Sequence, residues 1–275
     1  MGEERNWPLF EYAFCPRFSE ELLPRLAYEA SPETWSLPSQ DASQPFFILY
    51  YYIHCTFKRL KEQYDAAPTA KERDAAIFEC GEHACFDTGL FTANYEALYG
   101  YFVANRIANQ QKWFLRGFYK ESDPCLNRFF PLPARAQYLR NTVDIVYDYR
   151  LEWRINVDHI IDHPENIKRL PARFQSLENR VLASNAFKGA VVTAKKRLLA
   201  NYRLAVPQYY EGSVQLLVPI CLEDESRADV SLVIYRQDNI YQGRTCLSLD
   251  MAYNNARLLA KPESDWLSGL TMRAI

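Results

Sequence analysis

The stretch that most constrains the fold is residues 213 to 259, SVQLLVPICL EDESRA DVSLVIYRQDNIYQGRTCLSLDMAYNNARLL. Ser213 to Leu222, Asp229 to Tyr235 and Arg244 to Asp250 are apolar, β-branched runs set almost back to back. The breaks between them are polar, and the second, Arg236 to Gly243, carries the turn residues Asp238, Asn239 and Gly243. Three adjacent strands with short connections specify an antiparallel meander. Beyond it, the spacing of Met251, Leu258 and Leu259 fits a short helix.

Upstream, two segments carry helical periodicity. Phe46 to Tyr64 places apolar residues at 46, 49, 50, 53, 57, 60 and 64, with Lys58, Arg59, Lys61 and Glu62 on the other face. Leu177 to Tyr202 interleaves apolar positions 181, 182, 187, 191, 198 and 199 with Lys188, Lys195, Lys196 and Arg197, and Gly189 weakens its middle. Ser19 is the expected cap of an earlier helix through Leu26, with Pro24 in its first turns. Residues 32 to 45 hold three prolines and read as a loop, and 65 to 74 as a polar surface connection. Ala75 to Phe91 reads as two strands turning at Cys80 to His83, Lys112 to Tyr119 as a strand, and Thr142 to Ile155 as one or two strands. Short helices are expected over Ala134 to Leu139 and, as helix or turn, over Asp158 to Leu170. The fold class is therefore α+β: a C-terminal antiparallel meander sheet packed with several helices, in a single domain over 1–267 with a tail at 268–275.

Net charge is −2 with 24% charged residues, so no global field draws the chain to nucleic acid or anionic lipid. Seven scattered cysteines, without a leader-like start, argue against a disulfide framework and for a reducing cytoplasm. No apolar run approaches the roughly 20 residues of a membrane span, so no membrane partner is expected. Walker, GxGxxG, GxSxG and HExxH motifs do not occur.

Several blocks occur in an order that resembles the family described as domain of unknown function 3825. They are LYYYIHCTFKRL at 49–60, FDTGL at 86–90, NVDHIIDH at 156–163, VPQYY at 206–210, LLVPICL at 216–222, YQGRTCLSLDMAYNNARLL at 241–259 and DWL at 265–267. Asp87 stands where the family more often has Asn. The resemblance implies no established activity. It implies the company of RNA-associated modules, cold-shock, LOTUS-type and NYN-type nuclease domains, none of which is present in this chain.

Five constellations carry candidate chemistry. His159 and His163 have the spacing of a two-His metal site with Asp162 between them, although Pro164 follows at once and one structural plus one exposed His explains the pair. Cys80, His83 and Cys85 have ligand spacing without a second cysteine pair nearby, and buried free thiols are the ordinary alternative. The basic helix face, Lys188, Lys195, Lys196, Arg197, Asn201 and Arg203, followed by Gln208, Tyr209 and Tyr210, suits phosphate and base stacking; a solvated face explains it equally. Tyr241, Asp250, Tyr253, Asn254, Asn255 and Arg257 gather where a strand enters a helix, with Asp250 as cap, base or ion ligand. Asp87, Thr88 and Gly89 form an anion-holding turn or a plain one.

These residues lead to an expected RNA- or nucleotide-associated binding or processing module, with phosphoester chemistry as the natural class should it be an enzyme. His159 or Asp250 would move the proton, and Lys195, Arg197, Asn201, Gln208, Tyr209, Tyr241, Tyr253, Asn254 and Arg257 would line a shared cleft. The alternatives are a non-catalytic module with a protein partner, including a defence-system effector, and a metal-dependent hydrolase at His159 and His163. No cofactor is identified and no metal is assigned.

Overall fold

A computed structural model describes residues 7–36, 45–139 and 141–267. The chain divides into two compact units, Met1–Gln137 and Tyr138–Ile275, each built on a five-stranded sheet. The α+β class holds throughout, and the C-terminal sheet is the expected three-strand meander with two strands added, Val206–Tyr210 and Glu152–Ile155. The tail expected at 268–275 lies outside the described residues. Among the described residues no helix is long and apolar enough to cross a membrane.

In the N-terminal unit, helix α1 (Pro8–Tyr12) leads into strand β1 (Ala13–Phe14). Helices α2 (Leu23–Glu29), α3 (Phe47–Ala66) and α4 (Ala70–Ala76) follow. Strands β2 (Phe78–Cys80), β3 (His83–Phe91), β4 (Ala97–Ala104) and β5 (Trp113–Lys120) complete the sheet, in the order β1-β5-β4-β3-β2. All neighbours are antiparallel except β1 and β5.

Phe86 and Phe102 point to one face of this sheet, where Phe57 of α3 meets both rings edge-on at 5.1 and 6.1 Å. Gly100 is paired with Phe86 across the strands, and the Phe86 ring occupies the space a Cβ at 100 would need. Cys85, Tyr99 and Tyr101 point to the other face, where Leu126 and Phe129 cover them. Both edge strands are very short, which limits open pairing edges. The sheet curls far enough that Glu79 on one edge reaches Trp113 beside the other.

In the C-terminal unit, β6 (Glu152–Ile155) precedes helices α5 (Val157–Asp162), α6 (Pro164–Ile167) and α7 (Arg180–Ala200). The meander β7 (Val206–Tyr210), β8 (Ser213–Ile220), β9 (Val230–Gln237) and β10 (Ile240–Leu247) then runs into α8 (Leu249–Arg257). Strand order is β6-β10-β9-β8-β7, with β6 parallel to β10. Leu216, Val218, Ile220, Val230, Leu232 and Ile234 share a core with Ala183, Phe187, Ala194 and Leu198 of α7.

Five expectations are corrected. The last strand starts at Ile240 rather than Arg244, because Asp238 alone adopts positive φ (53°) and the hairpin closes in two residues. Ser19 caps nothing: Arg17 takes the left-handed conformation and Ser19 lies inside a wide turn, Phe18–Leu22, closed by Leu22 N–H to Arg17 O. The 65–74 connection contains α4, started by a reciprocal capping box between Thr69 and Glu72. Residues 134–139 are extended, because Gln137 N–H donates to Gln63 and Arg59 donates to the Gln137 carbonyl, which takes the backbone out of local pairing. Thr142–Ile145 is a 3₁₀ turn capped by Asn141, so only Glu152–Ile155 of that stretch is strand. Strand β4 falls where the sequence pattern assigned no element.

Candidate functional site

The residues expected to line one cleft do not meet. Gln208 is in register with Gln215, which alternates with the core-facing Leu216, so Gln208 points away from α7. Asn255 of α8 donates to Gln208 Oε1 at 3.1 Å, which places α8 on the face of the sheet opposite α7. Lys195 and Arg197 are thus separated from Asn254 and Arg257 by the sheet itself, and the shared nucleotide cleft is replaced by two unrelated surroundings.

On the α7 side, Arg197 contacts Cys221 Sγ at 3.2 Å and Glu225 at 3.8 Å, beside a groove of about 240 Å³. Lys195 is half-buried. Asn201 caps the turn after α7, accepting from Arg203 N–H at 3.1 Å. On the α8 side, Tyr253, Asn254, Asn255 and Arg257 are buried, and Asn254 Oδ1 lacks a hydrogen-bond partner. Gln208 is spent on Asn255 and on Gln215, at 2.9 Å. Tyr209 lies edge-on to Tyr138 at 4.7 Å. Ser248, not Asp250, caps α8, its hydroxyl accepting from Met251 N–H. Tyr241 is buried, stacks on Tyr147 at 5.4 Å, and accepts from Asp148 N–H at 2.9 Å, which makes it a packing residue.

His159 and His163 are both exposed, with rings 5.4 Å apart. His163 accepts from Glu165 N–H as the cap of α6. His83 pairs with Tyr101 OH at 2.8 Å. Among the described residues no group of three His, Cys, Asp or Glu side chains stands together as a metal site.

Asp87, Thr88 and Gly89 sit at a break in the β3–β4 register. Asp87 accepts from Gly89 N–H at 2.7 Å, and the Thr88 hydroxyl donates to Leu98 O at 2.6 Å. Gly89 has φ +72°, and a Cβ there would lie 2.6 Å from Tyr52 OH and 3.3 Å from Arg135 Nε, so glycine is needed on both counts. Burial pushes the Asp87 carboxyl up to about 6; the Gly89 hydrogen bond and the nearby Arg135 charge only partly oppose it.

A cavity of about 500 Å³ lies elsewhere in the N-terminal unit, where α1, α3, β2 and β5 meet. In its lining Glu79 collects three donors: Lys112 Nζ at 2.7 Å, Tyr12 OH at 2.8 Å and Trp113 Nε1 at 3.3 Å. Burial alone would raise this carboxyl. The hydrogen bonds from Lys112 and Tyr12 outweigh it and hold Glu79 below the usual carboxylate range. Burial, then Glu79 itself, raise the Tyr12 phenol far above its ordinary value, so it remains a donor. Lys112 also lies 4.5 Å from the Trp113 ring centre.

One turn apart on α3, Lys58 and Lys61 project from the helix over the same cavity, joined by Glu62, Asp65 and Glu11. Lys61 pairs with Asp65, and Lys58 makes no ion pair among the described residues. The only trace of this site in the sequence is the polar face of α3 and the Lys112–Trp113 dipeptide. Glu79 carries no motif, and curling of the sheet is what brings positions 12, 58, 79 and 112 together.

These features define a two-sheet α+β protein with a mixed-charge, small-molecule-sized cleft in its first unit. The chain belongs to the family whose model matches it over residues 26–266, Domain of unknown function (DUF3825). No curated protein and no solved structure matches the chain.

Proposed function

We propose that the chain is a binding module for a nucleotide or the phosphorylated end of an RNA, and that the ligand occupies the Glu79 cleft. The observation that carries this reading is the convergence of Lys58, Lys61 and Lys112 on one cavity that also presents carboxylates and the Tyr12 ring. Ammonium groups take a phosphate. Glu11 accepts from the exocyclic amine of cytosine, as carboxylates do at base edges, or from the N1–H and exocyclic amine of guanine. Three cations against four carboxylates in the lining disfavour a polyanion and favour a ligand with a single phosphate. The seven free thiols support meeting that ligand in a reducing compartment, the cytoplasm.

Calorimetry on the full chain with guanosine and cytidine monophosphates, the two nucleosides and inorganic phosphate tests this. The monophosphates bind, the nucleosides bind more weakly, and Lys58→Ala weakens monophosphate binding about tenfold, the worth of one charge-assisted contact. Lys58 is exposed, so the melting temperature stays put. Silence with every nucleotide, or full affinity in Lys58→Ala, overturns the reading.

A further inference from the structure

Helix α7 has two apolar faces. One, with Ala183, Phe187, Ala194 and Leu198, is spent in the core. On the other, Val181 is 74% exposed, Val192 56% and Leu199 57%. Positions 181, 185, 188, 192, 195 and 199 follow the alternating four-and-three spacing of a heptad seam, reading Val181, Asn185, Lys188, Val192, Lys195 and Leu199. Three aliphatic side chains with a central amide and two lysines in such a row are what one strand of a short coiled coil presents to another. A 21-residue helix supplies three heptads of it.

Charge selects the occupant. Over its whole length α7 carries Arg180, Lys188, Lys195, Lys196 and Arg197 and no carboxylate. Arg180 is satisfied by Asp162, Lys188 reaches Asp158 at 3.7 Å, and Arg197 turns toward Glu225. Lys195, on the seam between Val192 and Leu199, and Lys196 beside it have no ion pair among the described residues. A second copy would bring a second unpaired Lys195 and Lys196 to the same seam, so self-pairing is repelled. A nucleic acid could use the lysines, but exposed valine and leucine offer nothing to a phosphate, and no aromatic ring stands on the seam for a base.

We infer that the outer face of α7 is a docking surface for an acidic amphipathic helix of a partner protein. Its aliphatic residues would cover Val181, Val192 and Leu199, and its carboxylates would face Lys195 and Lys196. The inference is independent of the nucleotide reading, since it uses neither the Glu79 cleft nor any residue of the first unit.

The test uses two labelled three-heptad peptides, both with leucine along the seam, one with glutamate and one with lysine at the flanking positions, plus a single-stranded RNA of mixed sequence. Fluorescence anisotropy with the full chain shows the glutamate peptide binding at least about tenfold more tightly than the lysine peptide, with an advantage that shrinks in high salt. The doubly exposed substitution Val192→Glu with Leu199→Glu abolishes that binding and leaves the melting curve unchanged. Lys195→Glu with Lys196→Glu reverses the preference toward the lysine peptide, which keeps the test decisive should the first variant misfold. Equal affinity for the two peptides, tighter binding of the RNA, or a homodimer in sedimentation that the Val192/Leu199 variant dissolves would each overturn it.

Discussion

Replacing Asp87 by asparagine isolates one buried ionisation. The Asp87 carboxyl, half-buried in the β3 bulge, titrates near 6 instead of its ordinary 3.8 because burial outweighs the Gly89 hydrogen bond and the Arg135 charge. The folded chain therefore holds this proton over a pH range in which the unfolded chain has released it. Stability falls as pH rises from about 4 to about 6 and stays reduced above that. A displacement of about 2 pH units corresponds to about 3 kcal/mol, a ceiling that the water still reaching Asp87 trims to about 2 kcal/mol. Asparagine keeps an oxygen for Gly89 N–H and never ionises. Asp87→Asn should therefore melt about 5 °C or more above wild type at pH 8, while near pH 4 the two curves coincide. Thermal melts of both proteins across that range measure the difference, and every other titration common to both cancels. A gain independent of pH would show that the buried ionisation is not what the substitution relieves, and a loss confined to pH 8 would show that pairing with Arg135 and not burial governs the site.

Two further predictions concern the packing around α3. His54 is fully buried in a box of Trp7, Phe10, Phe18 and Tyr50 rings, with neither ring nitrogen hydrogen-bonded. Burial lowers it from 6.5 to about 3, so its neutral form contributes stability above pH 6.5 that is lost as pH falls toward 3. His54→Phe should flatten the acid limb of the stability curve over that window by up to about 4 kcal/mol, read by urea titration at a series of pH values. An acid limb identical to wild type would contradict it. Gly100→Ala forces a methyl into the buried Phe86 ring, and a loss of about 3 kcal/mol or more in denaturant unfolding is expected, with Gly189→Ala in exposed α7 near neutral or slightly stabilising as the control.

Local pattern decided much of the framework. Three of the meander's four strands follow from β-branched runs with short polar breaks, and α3 and α7 follow from periodicity long enough to override local noise. Where neighbours in space competed with neighbours in sequence, pattern failed. Residues 134–139 favour a helix by composition but are drawn out by Gln63 and Arg59. Strand β4 is buried along most of its length and so lacks the alternation that marks a half-exposed strand.

The candidate site divides in the same way. Its parts are ordinary in sequence: a lysine pair on a polar helix face, a Lys–Trp dipeptide, a lone glutamate and a tyrosine ending a five-residue helix. Their meeting is a product of sheet curvature, a long-range property that no window of residues contains. The residues that stood out in sequence, the basic stripe of α7 and the polar corner of α8, were separated by something equally non-local. In β7 and β8, a shift of one residue along a strand reverses the face to which a side chain points, and that parity sent Gln208 and α8 to one side of the sheet and α7 to the other. Sequence alone determined the long periodic helices, most of the C-terminal meander and where charge is displayed; tertiary structure decided the shorter contested segments and which charges share a cavity, because strand parity and sheet curl act over distances that chain connectivity does not encode.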